Sequence, residues 1–421
     1  MQQVISTEKI PIKLWLDDDM EEGALAQAKN LANLPFAFKW IAIMPDSHQG
    51  YGMPIGGVMA TKGVIVPNAV GVDIGCGMCA VKTSLTETEL DTDTLKKIMG
   101  EIRKVVPVGF KHQKEKQDES LMPLMSYQGV VDIGNTPDLD SGDSRFDSYP
   151  PDLKIVKEQY QSALKQIGTL GGGNHFIEIQ KGSDGHIWIM IHSGSRNIGY
   201  QVAEYYNKLA IKLNERWHSS VPTAWELAFL PIGSKEAQDY LREMQYCVEF
   251  ALANRKLMMD RVEDVMAEEL KKYYKSLDEQ VTFEPMINIA HNYASLENHF
   301  GENVWVHRKG ATLAREGTIG IIPGSQGTKS YIVKGKGNQD SFMSCSHGAG
   351  RRMGRNQARK ELVLADEVKV LEDKGIIHSI RGIKELDEAP GAYKDIDKVM
   401  SNQADLVDIL VELSPLGVIK G

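Results

Sequence analysis

The sequence has little of what marks secreted, membrane-spanning or disordered chains. Four cysteines, Cys76, Cys79, Cys247 and Cys345, occur among 421 residues, too few for a disulfide scaffold. The segment Met1 to Asp19 lacks the basic-then-apolar layout of a signal peptide. No uncharged apolar run reaches the ~18 residues needed to cross a bilayer. Internal repeats and long low-complexity tracts are missing too. These absences point to a cytoplasmic, reducing setting, in which a thiolate is available to a metal or to chemistry. A formal charge of −9 excludes a chain coated in basic residues, though not a local basic groove. With 42% hydrophobic and 25% charged residues, the chain has the balance of a folded protein rather than a fibrous one.

The apolar runs Trp40–Met44, Ile55–Ala60, Val64–Val66 and Val70–Val72 sit between glycine and proline punctuation and predict buried strands. Thr86 to about Lys104 reads as a helix, with Thr86 and Glu89 spaced as a capping box. The polar stretch 112–152 reads as a surface loop insert. Strands are expected again at Phe176–Ile179 and Ile187–Ile191. Lys235 to Tyr274 holds no proline or glycine, and its apolar residues recur at three- and four-residue steps. That spacing predicts a long amphipathic helix or a helical pair over 235–275, read as a peripheral insert. Glycine-punctuated strands follow from Met286 to Met343, and the segment Asp397–Val411 is expected to be helical. Length alone allows two or three domains. The chemistry-bearing motifs draw on distant segments, however, so one integrated α+β domain over 1–421 is the expectation.

Four short clusters carry donors for a metal. Asp73 and Cys76 stand three positions apart in a glycine-rich turn, able to face one ion. His175 follows three glycines, His192 ends an apolar strand and His291 ends another. A lone strand-end histidine is usually structural. One Asp, one Cys and three His at the ends of apolar strands together form a mixed O/S/N set suited to one or two transition metals. Cys76 and Cys79 form a CxxC without a second pair, so a structural zinc site is not expected. In the strand after His175, alternation puts His175 and Ile177 on one side, Phe176 and Glu178 on the other. A fifth cluster, Arg308 to Lys360, has eleven Lys or Arg against Glu316 and Asp340. Its charges interleave with glycines and hydroxyls, as a polyanion groove would have them. His347 lies there among small residues, open to attack or be attacked.

Taken in order, Met44–Gly57, Gly71–Met78, Gly171–His175, His192–Arg196, His291-Asn292, Pro323–Ser325 and Ser346–Arg351 resemble the RtcB family of RNA-splicing ligases. The resemblance implies a GTP-dependent enzyme joining an RNA 3′-phosphate or 2′,3′-cyclic phosphate to a 5′-hydroxyl, with two Mn²⁺ ions. It implies a single α+β domain of the family's own type and guanylylation of His347. It makes Asp73, Cys76, His175, His192 and His291 the metal ligands, with the cysteine bridging. Nucleotide contacts fall on Asn174, Glu178, Asn292, Ser325, Ser330, Gly348, Ala349, Gly350, Tyr393 and Lys420; Arg196 and Arg351 are read as RNA contacts. The family also has a helper, archease, in some lineages. Two other classes compete with this reading: a dinuclear-metal phosphoesterase acting on RNA ends, which has no use for a nucleotidyl histidine, and a non-catalytic RNA-binding protein, at odds with an intact ligand set.

Overall fold

The computed structural model describes residues 1–17, 20–124, 153–273 and 281–421. The described residues form seventeen strands. The first nine are β1 (Gln3–Ile5), β2 (Ile12–Leu14), β3 (Ala37–Tyr51), β4 (Met53–Thr61), β5 (Val64–Ile65), β6 (Gly77–Thr86), β7 (Phe176–Gly182), β8 (His186–Ser193) and β9 (Leu230–Pro231). The rest are β10 (Ile287–Ala290), β11 (Asn292–His299), β12 (Glu302–Lys309), β13 (Ala311–Leu313), β14 (Ile319–Ile322), β15 (Ser330–Gly335), β16 (Ser344–Ser346) and β17 (Val407–Lys420). Eight α-helices accompany them: α1 (Glu22–Ala32), α2 (Thr92–Val105), α3 (Lys154–Gln166), α4 (Arg196–Arg216), α5 (Lys235–Tyr273), α6 (Arg355–Glu361), α7 (Leu364–Glu372) and α8 (Ile396–Asn402). The class is α+β, as the sequence indicates.

Two sheets dominate. A six-stranded sheet has the order β1-β2-β3-β4-β12-β11, and a seven-stranded sheet the order β10-β6-β8-β7-β17-β15-β14. They meet at His291, the single residue between β10 and β11. One face of the seven-stranded sheet is apolar: Cys79, Val81, Ile177, Ile179, Ile189 and Ile191 pack on Ile98, Met99, Met258, Met259 and Val262 of α2 and α5. Period-2 alternation then leaves Phe176, Glu178 and His192 on the opposite face, where Phe176 and His192 pair across strands.

The runs at Trp40–Met44 and Ile55–Ala60 fall inside β3 and β4, and Val64-Ile65 forms β5. Val70–Val72 is a turn instead, because Pro67 opens a 3₁₀ turn and Gly71 adopts φ 96°. The Thr86/Glu89 capping box exists, but it closes the 3₁₀ turn Glu87–Glu89 at the end of β6. Helix α2 begins later, on Asp91, whose carboxylate accepts the Asp93 and Thr94 N–H groups. The expected helix Asp397–Val411 stops at Asn402. The rest extends as β17, which completes pairing with β15 on one side and β7 on the other. Of the 112–152 insert, 112–124 lies against α3 and buries Met122; 125–152 falls outside the described residues.

Helix α5 is one unbroken helix of 39 residues, and its expected peripheral place is corrected. It contributes Tyr240, Met244 and Val248 to one core cluster, Met258, Met259, Val262 and Met266 to another. Arg255, fully buried on this helix, donates to the Gly75 and Ser193 carbonyls at 3.0 and 2.9 Å and to Asn288 Oδ1 at 2.7 Å. A charged head in the middle of an apolar stripe escaped the periodicity argument. Here it pins together three segments that lead to the candidate ligands.

Candidate metal and nucleotide site

Asp73 and Cys76 share one tight turn. Its shape is set by the Gly75 N–H donating to the Asn292 carbonyl, 2.8 Å, and the His291 N–H donating to the Cys76 carbonyl, 2.8 Å. Cys76 Sγ thereby lies 3.2 Å from His192 Nε2 and 3.5 Å from His175 Nε2. Asp73 Oδ2 is 3.3 Å from the same His175 nitrogen. His291 stands edge-on to His192, ring centres 5.2 Å apart. His175 precedes β7 and bends out of its alternation, so it joins the Phe176 face that simple alternation denied it.

The backbone orients these imidazoles. His175 Nδ1 is 3.0 Å from the Leu170 carbonyl and His192 Nδ1 is 3.1 Å from the Asn174 carbonyl. A carbonyl can only accept, so each Nδ1 carries the proton and each Nε2 offers a lone pair toward Cys76. Burial holds His192 and His291 far below the ordinary histidine range, which keeps them neutral and able to ligate. Burial, then the Asp73 charge, drives the Cys76 thiol up, while Arg255 acts in the opposite sense. The buried His291 Nδ1 has no hydrogen-bond partner among the described residues. Asp73, Cys76 and the three imidazoles therefore fit a dication that would draw off the thiol proton and use the lone pairs. Cys79 points away, into the core beneath α5.

Next to this cluster stands His347, its ring centre 4.8 Å from that of His291. It follows β16, whose pairing with β13 brings it beside Gly310. Its Nδ1 is 2.6 Å from Asp46 Oδ2, and the same oxygen accepts the His347 backbone N–H at 3.1 Å. Asp46 is fully buried. Burial alone would raise its carboxyl, but the facing His347, with His48 and Lys394, holds it below the usual carboxylate range. An anionic acceptor on Nδ1 fixes the tautomer and leaves Nε2 as a nucleophilic lone pair. Asp46 was missed as a functional residue; its block was noted, yet nothing in the sequence joins positions 46 and 347.

A cavity of about 400 Å³ joins these groups, the size of a nucleotide pocket. Asp73, Cys76, His192, His291 and His347 line it at one end. Glu178, Phe176, Lys420 and Tyr393 line it together with Asn174, Asn292, Ser325 and the Gly348–Gly350 turn. Register explains part of this: Lys420 pairs with Phe176 and Val418 with Glu178, so the last residues of β17 lie alongside the start of β7. Burial pushes Glu178 up to about 8, against the pull of Lys420 and of the Gln180 amide, which donates to Glu178 at 2.6 Å. Glu388, also unforeseen, gathers the cationic wall: Arg351 at 3.2 Å, Lys420 and Arg355 at 3.5 Å, and the Tyr393 hydroxyl.

Three assigned residues stand behind this lining. His175 reaches the cluster through Cys76. The Ser330 hydroxyl takes the Gly324 N–H at 3.1 Å and the Gln180 amide at 3.2 Å, bracing the wall that Ser325 lines. Arg196 starts α4 at φ 59°, with Nε 3.3 Å from Thr169 Oγ1, packed on the Gly171 loop. The Asn292 amide is spent on structure, donating to the Asp73 carbonyl at 3.1 Å and accepting from Gly310 N–H at 2.7 Å. The basic stretch 308–360 is not one groove. Arg308 is buried against Glu297, while Lys329, Lys336 and Arg359 pair with Glu412, Asp408 and Asp387. Lys309, Arg351 and Arg355 alone of its cations line the cavity.

A buried thiol, three buried imidazoles and the partly exposed Asp73 carboxylate, beside a histidine held by a second carboxylate, form a cluster that could hold a metal ion and serve group transfer. Comparison with known proteins gives the family. A family model described as tRNA-splicing ligase RtcB matches residues 27–421, and the chain belongs to that family. It is 39% identical to RNA-splicing ligase RtcB1 of Escherichia coli, over 100% of this chain and 99% of the relative. The RNA-splicing ligase RtcB of Escherichia coli K12 is 38% identical over the same shares. The tRNA-splicing ligase RtcB of Thermococcus kodakarensis is 33% identical over 98% of this chain and 95% of its own.

Proposed function

We propose that this chain is an RNA ligase that joins a 3′-phosphate or 2′,3′-cyclic phosphate end to a 5′-hydroxyl end, using GTP and two Mn²⁺ ions. The observation that carries it is His347, its Nδ1 held 2.6 Å from Asp46 and its ring beside His291 in the cavity that Glu178 lines. Asp73 and His175 would hold one ion, His192 and His291 the other, with Cys76 Sγ shared. Thiolate and imidazole donors suit Mn²⁺, Co²⁺ or Zn²⁺ better than Mg²⁺ alone. The ions, when bound, offset phosphate charge and acidify attacking groups.

The chain's own residues do the rest. His347 Nε2 attacks the α-phosphorus of GTP; the N–P bond forms as the bond to pyrophosphate breaks, and Asp46 stabilises the imidazolium that develops. A 2′,3′-cyclic phosphate is first opened by water to the 3′-phosphate; the 3′-phosphate oxygen then takes GMP as the N–P bond to His347 breaks, and the 5′-hydroxyl displaces GMP from that activated end. As a carboxylate, Glu178 accepts from guanine N1–H and N2–H, donors that adenine does not present. Lys420 and Tyr393 close that side, and Arg351 and Arg196 are assigned to the RNA. A 1–421 catalytic unit, a cytoplasmic setting and an archease-type helper belong to the same reading. The competing phosphoesterase reading leaves the Asp46–His347 pair without a task. Joining of labelled RNA ends with GTP and Mn²⁺ tests the proposal. Sealed product with GTP and little with ATP supports it, whereas release of inorganic phosphate without joining defeats it.

A further inference from the structure

The cavity lining includes one exposed aromatic ring. Of the phenylalanine and tyrosine residues there, Phe176 is 7% exposed and Tyr393 is buried, but Tyr51 is 68% exposed. Its backbone, by contrast, is held from every side. Lys309, a buried lysine, spends its ammonium on the Tyr51 carbonyl at 2.6 Å and the Asn68 carbonyl at 3.0 Å. Gln27 both donates to the Gly50 carbonyl, 2.7 Å, and accepts its N–H, 3.1 Å. Glu226 accepts the Gly52 N–H at 3.1 Å.

The flanking glycines are required by this packing. A Cβ on Gly50 would stand 2.6 Å from the Met53 carbonyl, and one on Gly52, at φ 66°, 2.6 Å from the Glu226 carbonyl. The tip of the β3–β4 hairpin thus has its main chain fixed by three side chains and offers one side chain outward. A main chain fixed in advance removes the backbone entropy that a mobile hairpin tip would lose on binding. Val72, 47% exposed on the same cavity, sits in the turn that Lys309 ties to Tyr51 through Asn68.

We infer that Tyr51 is a stacking platform for a nucleobase of the RNA strand that enters the cavity. This rests on the ligase reading above. An aromatic face suits any base, so the platform holds a strand end in place without reading its sequence. Tyr51 belongs to the hairpin of the six-stranded sheet, whereas the guanine-facing Glu178 and Lys420 belong to the seven-stranded one. On that ground the base is assigned to the RNA, and the GTP readout below is the outcome that would reverse the assignment.

The test is a cycle between protein and RNA. Wild type, Tyr51→Trp and Tyr51→Ala are titrated with short single-stranded RNA, in one arm ending in a 3′-phosphate and in the other starting with a 5′-hydroxyl, each with an abasic nucleotide placed in turn at the terminal positions. For the arm that uses the platform, wild type should lose about 5- to 100-fold in affinity at one abasic position. Tyr51→Ala should bind intact RNA weaker by a similar factor and lose nothing more at that position; Tyr51→Trp should behave as wild type. A merely structural role would lower affinity for intact and abasic RNA equally and overturns the inference. A rise in the GTP requirement of Tyr51→Ala with no abasic coupling in either arm also overturns it, since the ring would then serve the nucleotide. Labelling of wild type with GTP is measured separately. Its failure would speak against the ligase reading, while the binding cycle would still judge Tyr51.

Discussion

Single atoms decide the chemistry. Asp46 Oδ2 holds the proton on His347 Nδ1, and an amide there could as well donate to that nitrogen, permitting the wrong tautomer. Asp46→Asn should slow formation of the GMP adduct by about 10²–10⁴-fold while Mn²⁺ still binds. Single-turnover labelling checks the rate, and an unchanged rate would remove Asp46 from the account. Glu178 is the second such position. Its folded value of about 8 lies above the ordinary glutamate range, so at neutral pH the carboxyl is mostly protonated. Accepting two guanine N–H groups requires the anion, so guanine binding must release a proton. Affinity for GMP should then fall about tenfold for each pH unit below 8 and level off above it. Glu178→Gln should flatten that profile and cost about 1–3 kcal/mol, as a buried donor faces a donor. Calorimetry in buffers of differing ionisation enthalpy reads both the affinity and the released proton.

At the scale of elements, α5 is a frame for the site. Removing the Arg255 head leaves the Gly75 and Ser193 carbonyls buried without a donor. Arg255→Met should therefore lower unfolding free energy by about 3 kcal/mol and weaken Mn²⁺ binding, although it touches no ligand. Denaturant titration with and without metal checks both; a variant as stable as wild type would show that the frame is dispensable. Cys79→Ser, on the far face of the same strand as the site turn, should keep most activity. What the sequence disclosed follows from range. Cys76, His175, His192 and His347 were legible because each sits in or beside a short block with glycine whose residue types announce chemistry, and His291 because it ends an apolar strand. Asp46, Glu388 and Arg255 were not, because their roles arise only from contacts between separate segments, 301 positions apart for Asp46 and His347. Element ends failed for local reasons. A capping box closed a 3₁₀ turn rather than a helix, and β17 extends where helical spacing was read because two strands needed a partner between them. The 308–360 charges counted as a groove in sequence, but folding gave Arg308, Lys329, Lys336 and Arg359 acidic partners from elsewhere.

Over the whole molecule, two sheets converge so that a cluster of candidate metal ligands, a histidine held by a carboxylate and a buried glutamate meet at one cavity. No helix of the described residues is long and apolar enough to cross a membrane. The central claim is that His347 becomes covalently bonded to GMP. The most direct measurement is incubation of the whole protein with α-labelled GTP and Mn²⁺, followed by denaturing gel analysis and mass mapping of the labelled peptide. The account predicts one adduct on His347, labile in acid and stable in base as a P–N bond to imidazole is. Label should be lost in His347→Ala and absent under chelation. No label on wild type, or label that persists in His347→Ala, would contradict it.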